Sequence, residues 1–297
     1  MPNSDLKKLS MNELAAWSSW PARLLSIDSF QSRDKSPESV SREFGNDKWG
    51  SLLSHFSDIT SFKLSDVQAM EQDLDELIPC FERVSNFHLA LVREAGAQQI
   101  DIYKNTLIPH VAGASGLVEL GAGYGSKLFE LSDLSPLNKL PLYAAEYTQS
   151  GCDLTKLIAK RINKQVQVGQ CDFNTLDLIG LEIPENAIIF TSYSVHYVSE
   201  LREDFVNFIL QFKPKVIVHF EPCYEYYDPQ TLHGLMCQRY MELNGYTKNI
   251  ASNIEAGCLK IGAKFRSDRN IFGSNPFLPF SIIQWEPQYL KGDTKNI

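Results

Sequence analysis

The sequence predicts an α/β protein: a mostly parallel sheet that ends in an antiparallel C-terminal hairpin, preceded by an α-helical N-terminal region. Three observations predict it. Short apolar runs alternate with helical stretches after Gly113, as βαβ units require. A turn of alternate glycines follows the first of those runs, and two strand-like runs joined by a Gly/Asn/Pro loop come last. The 297 residues, 43% of them hydrophobic, suffice for one large core with a smaller appended region.

Residues 1–109 carry a helical pattern, with a polar, Ser-rich interruption at 32–41 that reads as a loop. A helix is expected from Ser65, a suitable N-cap, with Val67, Met70, Leu74, Leu77, Ile78 and Phe81 forming one apolar stripe. Residues 87–107 continue the pattern. From 110 to 297 a second region is expected, with strands near 116–120, 141–146, 166–170, 186–192 and 215–221 and helices near 125–133, 149–163, 199–211 and 229–244. The runs Lys264-Phe265-Arg266 and 280–285 make the hairpin, which should close the sheet edge.

Composition narrows the function. The stretch Met1-Pro2-Asn3-Ser4-Asp5-Leu6-Lys7-Lys8 lacks the apolar segment of a secretory signal, and no run of about eighteen apolar residues occurs, so a soluble cytoplasmic protein that avoids membranes is expected. The six cysteines (Cys80, Cys152, Cys171, Cys223, Cys237, Cys258) form no C-x-x-C pair and read as reduced thiols. A net charge of −8, with no basic stripe beside aromatics, argues against nucleic acid as a partner.

The chemistry concentrates at Glu119-Leu120-Gly121-Ala122-Gly123-Tyr124-Gly125. Alternate glycines permit backbone angles closed to other residues and let a ligand approach the main chain. The spacing is G-x-G-x-G behind an acid, and Glu119 stands where a carboxylate can hold an amino group of a ligand. A purely structural turn or a nicotinamide-binding turn are the alternatives.

On these residues the chain resembles the class I (Rossmann-like) S-adenosylmethionine-dependent methyltransferases, whose first motif is [DE]-x-G-x-G-x-G. The resemblance spans about residues 113–287. It implies a seven-stranded sheet with a reversed final hairpin, and S-adenosylmethionine as cofactor on Glu119, Gly121, Ala122, Gly123 and Gly125. It also implies that Glu146, closing the second strand, grips the ribose hydroxyls beside Tyr147. Asp172 and Phe173, after the third strand, would face and stack on the adenine, although Asp172 could instead cap a following helix. Ser192, closing the fourth strand, would complete the cofactor site. There is no Asn-Pro-Pro-Tyr after that strand and no paired-glutamate hairpin, which argues against methylation of nucleobases, glutamine or protein arginine.

The acceptor is expected beyond strands four and five. His196, in Thr191-Ser192-Tyr193-Ser194-Val195-His196-Tyr197, is the candidate base, because histidine titrates near neutrality; a histidine satisfied by the backbone is the alternative. Alternation puts His219 and Glu221 on one face of strand five, where Glu221 orients His196 or binds substrate. Two histidines and a carboxylate in a six-histidine chain are thin ground for a metal, and none is assigned. Tyr224, Glu225, Tyr226 and Tyr227 make an acidic, aromatic rim, with tyrosines that merely pack as the alternative, and Tyr193, Tyr197, Tyr224 and Tyr226 are the candidate acceptor contacts. The expected reaction is O-methylation of a natural-product or sugar-like hydroxyl on a small-molecule acceptor. The alternatives are N-methylation of an amine, guanidine or peptide, or a non-catalytic nucleotide-fold binding subunit. The N-terminal region would serve as a lid or homodimer arm, with Trp17, Trp20, Trp49 and Tyr103 as apolar walls or, equally, as plain core.

Overall fold

Nearly continuous apolar runs at residues 117–120, 142–146, 188–192 and 216–221 form strands buried on both faces, as a parallel sheet covered on both sides demands. In the computed structural model, which describes residues 7–84 and 86–289, these are four of eleven strands. In chain order the strands are β1 (Lys8–Leu9), β2 (Leu77–Glu82), β3 (Asn86–Leu91), β4 (Leu117–Leu120), β5 (Leu142–Glu146), β6 (Val166–Asp172), β7 (Asp177–Ile179), β8 (Ile188–Ser192), β9 (Val216–Glu221), β10 (Lys264–Gly273) and β11 (Phe280–Glu286). Residues 1–6, which carry most of the expectation about a missing leader, lie outside the described residues.

The sheet runs β1-β3-β2-β10-β11-β9-β8-β4-β5-β6-β7. Pairings β6-β5, β5-β4, β4-β8 and β8-β9 are parallel, and all others are antiparallel. Strand order therefore reverses at β4, between β5 and β8, and a crevice opens outside the carboxyl ends there. Helices Val92–Leu107, Ser126–Leu131 and Gln149–Arg161 pack one face through Tyr103, Phe129 and Ile158. Helices Phe205–Leu210 and Ile250–Lys260 pack the other through Phe205, Ile209 and Ile254. All six cysteines are free and buried. No helix among the described residues is long and apolar enough to cross a membrane.

Three expectations need correction. The helix from Ser65 stops early: the helix is Leu64–Glu71, and Leu77, Ile78 and Phe81 belong to β2. Pro79 is the overlooked signal, since proline breaks a helix interior yet is tolerated where only one flank is paired; β10 meets β2 only at Glu82 and Phe81. Residues 87–107 likewise divide into β3 and the helix Val92–Leu107, so the N-terminal region is not wholly helical. Finally the sheet has eleven strands where seven were implied, and the β10–β11 hairpin does not close its edge, because β2, β3 and β1 continue beyond β10.

Candidate active site

The turn after β4 sits at the strand-order reversal, with Gly121, Gly123 and Gly125 at φ +74°, +57° and +79°. Gly121 and Ala122 donate their N–H groups to the Ala145 carbonyl at 2.7 and 3.0 Å, clamping the turn onto β5. A Cβ on Gly121 would stand 2.3 Å from Ser194 Cβ, so the turn and the loop after β8 approach as closely as they do only with glycine there.

A cavity of about 460 Å³ opens over this turn. It gathers Glu119, Gly121, Ala122 and Gly123 from β4, Glu146 and Tyr147 from β5, Asp172 and Phe173 from β6, and Ser192, Tyr193 and Tyr197 from β8 and its loop. Gly125 is not among the lining residues; it starts the helix Ser126–Leu131.

The Glu146 carboxylate accepts hydrogen bonds from the Gly123 N–H at 3.0 Å and from the Thr148 N–H and hydroxyl at 3.2 and 3.1 Å, so it is fixed before any ligand arrives. Burial raises its pKa against those donors. Glu119 is 2% exposed and accepts only the Leu128 N–H, at 3.2 Å; burial pushes it up to about 8, with Lys127 opposing. Asp172 accepts the N–H and side-chain amide of Asn174 at 2.8 and 2.9 Å and caps no helix, since β7 follows.

Across the cavity, Ser192 bonds the Tyr103 hydroxyl at 2.7 Å, and Gln99 donates to that hydroxyl at 2.6 Å. Tyr193 takes φ +49°, a costly angle for an aromatic residue, and its hydroxyl donates to the Leu278 carbonyl at 3.0 Å. Tyr197 packs edge-on against Phe44, with ring centroids 4.9 Å apart.

His196 does not line the cavity, which corrects its assignment as base. It is 0% exposed, between Tyr197 and Tyr246 at 4.3 and 4.5 Å, and its Nδ1 meets a Glu221 carboxylate oxygen at 3.2 Å. Burial drives the imidazole pKa down, with Glu221 opposing. Burial pushes Glu221 up, but His196 and the N–H groups of Ser194 and Val195 outweigh it and hold the carboxyl below its usual range. The pair is therefore a neutral imidazole donating to a carboxylate. Glu221 also accepts the Ser194 N–H at 3.0 Å and the Val195 N–H at 3.2 Å, so it anchors the loop after β8 from behind and is likewise absent from the cavity wall.

His219 shares the face of Glu221, as alternation required. Its Nε2 accepts the Trp285 indole N–H at 3.1 Å, which leaves Nδ1–H for Thr191 at 3.1 Å. Burial lowers its pKa to about 4. Among the described residues no group of three or more His, Cys, Asp or Glu is placed to hold a metal. The expected outer rim is also elsewhere: Tyr224 donates to Glu242 at 2.9 Å and Tyr226 stacks under Arg269 at 4.4 Å, neither on the cavity.

The side of the cavity that faces the loop after β8 is covered in part by the N-terminal region. A π-helix, Ser41–Gly50, brings Phe44 and Trp49 to the cavity, and the helix Leu64–Glu71 brings Gln68 and Glu71. Glu71 accepts the Tyr124 hydroxyl at 2.5 Å, and Gln68 donates to Ser126 at 2.9 Å, tying that helix to the glycine turn.

No protein-family model and no curated protein matches the chain. Among solved structures it is similar to magnesium protoporphyrin IX methyltransferase from Synechocystis PCC 6803 with bound SAH, at 14% identity over 66% of this chain and 85% of that one, with a TM-score of 0.46. It is also similar to geranyl diphosphate C-methyltransferase from Streptomyces coelicolor A3(2), at 13% identity over 67% and 81% of the two chains and a TM-score of 0.46. A third is the small RNA methyltransferase HEN1, at 15% identity over 69% of this chain and 29% of that one, with a TM-score of 0.47. The parallel order β6-β5-β4-β8-β9, the reversed strands β11 and β10 beside it, and the glycine turn at the reversal make a Rossmann-like α/β sheet.

Proposed function

We propose that the chain is an S-adenosylmethionine-dependent methyltransferase acting on a small molecule. The observation that carries this reading is the convergence of Glu119, the glycine turn, Glu146 and the Asp172-Phe173 pair on one cavity at the carboxyl ends of β4, β5 and β6. The residues fit that cofactor. Glu71, Glu146 and Asp172 line the cavity against Lys48 and Lys127, a balance that suits a ligand bearing sulfonium and ammonium charges, and Glu119, protonated in the free protein, gives up its proton to pair with the ammonium. Bound there, S-adenosylmethionine supplies a methyl group on a sulfonium, open to in-line displacement.

In this reading Glu146 accepts from the ribose hydroxyls, Glu119 holds the amino group, and Asp172 and Phe173 take the adenine. Ser192, Tyr193 and Tyr197 border the acceptor, and Phe44, Trp49 and the helix Leu64–Glu71 exclude water. The acidic lining and the net charge of −8 support a small acceptor over nucleic acid.

A natural-product or sugar-like hydroxyl needs its proton removed, and the histidine expected to do so is sealed behind Tyr197. No histidine lines the cavity. An amine acceptor is favoured by a specific arrangement: Tyr197, Phe44, Trp49 and Tyr124 form a chain of ring contacts at 4.9, 5.8 and 5.1 Å that ends at the Glu71 carboxylate. Rings and a carboxylate attract a cationic amine, which becomes nucleophilic on losing its proton to solvent and requires no enzymic base.

The test is release of S-adenosylhomocysteine from wild type and His196→Gln with panels of small amines and small alcohols. Turnover confined to amines, with a pH profile that follows the amine and is the same in both proteins, is expected. Turnover confined to alcohols, with a pH profile altered in His196→Gln, would restore the hydroxyl reading.

A further inference from the structure

Trp49 is 8% exposed, and its indole nitrogen is buried without a hydrogen-bond partner. Such orphans are rare, because a buried donor left unmade has lost its bonds to water and gained none in exchange. The position is informative. Trp49 lies on the cavity wall, edge-on to Tyr124 with ring centroids 5.1 Å apart. The indole edge that carries the nitrogen crosses the glycine turn: a Cβ on Gly123 would stand 3.2 Å from Cζ2 and 3.7 Å from Cε2, the carbon bonded to Nε1. Gly123, at φ +57°, leaves room for the ring. The ring is also held firmly, since the π-helix that carries it is anchored by the Ser150 hydroxyl donating to the Gly45 carbonyl at 2.7 Å.

We infer that the Trp49 indole N–H is a donor for the carboxylate of the cofactor's amino-acid end. This deepens the cofactor reading and rests on it. Asp172, Phe173 and Glu146 mark the nucleoside end of the cavity on β6 and β5, which leaves the amino-acid end at the β4 turn beneath Trp49. There Glu119 answers the ammonium, and the wall needs a donor for the carboxylate. The turn itself offers little: the N–H groups of Gly121, Ala122, Gly123 and Gly125 are taken by Ala145, Glu146 and Ala122, which leaves only that of Tyr124 beside the Trp49 indole. The N-terminal cover therefore forms part of the cofactor site as well as a wall for the acceptor.

The experiment is calorimetric titration of wild type and Trp49→Phe, full chain, with S-adenosylhomocysteine and with methylthioadenosine, which lacks the amino-acid end. Phenylalanine keeps an aromatic ring at this position but removes the N–H together with part of the indole, so methylthioadenosine serves as the control for the lost packing. About tenfold weaker binding of S-adenosylhomocysteine in Trp49→Phe, with methylthioadenosine binding unchanged, is expected. Equal losses for both ligands, or none, overturn the inference. Should Trp49→Phe fold poorly, the wild type still decides: one of its four indole N–H resonances should move downfield with S-adenosylhomocysteine and not with methylthioadenosine, and no such shift refutes the contact. Failure of the wild type to bind S-adenosylhomocysteine at all would instead remove the cofactor reading, and this inference with it.

Discussion

The β4–β5–β6 half of the cavity and the β8–β9 half were built by different means. On the first half each candidate residue that lines the cavity is within three residues of a strand end: Glu119, Gly121, Ala122 and Gly123 on β4, Glu146 on β5, and Asp172 with Phe173 on β6. On the second half, Ser192, Tyr193 and Tyr197 reach the cavity, whereas His196 and Glu221 turn away and hold the loop that presents them. Much of the rest of that wall comes from residues about 120–150 positions earlier in the chain, Phe44, Trp49, Gln68 and Glu71, and part of it from Ser274, Asn275 and Leu278 in the β10–β11 loop. A strand end fixes where a side chain points through local backbone geometry alone. A loop does so only once its neighbours have packed.

Substitution can break or sharpen this contrast. The largest effect is expected from His196→Ala, which leaves the buried Glu221 carboxylate without its imidazole; a loss of about 3 kcal/mol in chemical denaturation is expected, with the pH dependence of turnover unchanged. An altered pH profile in a protein of undiminished stability would return His196 to the chemistry. Next comes Gly121→Ala, where strain at φ +74° and collision with Ser194 should cost about 2 kcal/mol and weaken S-adenosylhomocysteine in parallel. Full stability in that variant would show that the two halves do not meet as tightly as described.

A smaller effect concerns pH. Glu119 keeps its proton in the folded state up to about pH 8, whereas the unfolded chain loses it near 4.5. The native state thus binds more protons in that window, and stability falls as pH rises through it. His219 works in the opposite sense: depressed to about 4, it contributes stability that is lost as pH falls below 6.5. The span from 6.5 to 8 therefore isolates Glu119, and Glu119→Gln should flatten the decline there. Identical slopes in the two proteins would contradict the buried carboxyl. The smallest effect is expected from Phe44→Ala, which thins the acceptor wall and should raise the acceptor KM about fivefold, about 1 kcal/mol, with kcat and cofactor affinity little changed.

The same contrast explains what was legible in the sequence. The alternation of apolar runs located every parallel strand to within two residues, and for β4, β5, β8 and β9 burial on both faces leaves an uninterrupted signature. The glycine spacing and Glu146 were legible for the same local reason. The β2–β3 hairpin was hidden because Leu77, Ile78 and Phe81 satisfy helical spacing as well as strand placement, and only Pro79 separates the two. His196 was misjudged because alternation and sequence position cannot tell which way a loop side chain faces once Tyr197 and Tyr246 close over it. The helix Ile250–Lys260 and the short β7 went unassigned, the latter because three half-exposed residues leave no periodicity to detect.

The central claim is that Glu146, fixed by Thr148 and the Gly123 N–H, is the ribose contact of an S-adenosylmethionine site. Calorimetric titration of wild type and Glu146→Ala with S-adenosylhomocysteine tests it without knowledge of the acceptor. Micromolar binding that weakens tenfold or more in the variant, about 1.4 kcal/mol, is the predicted result. A well-folded wild type that gives no heat and no thermal shift, or a variant that binds as tightly as wild type, would contradict it.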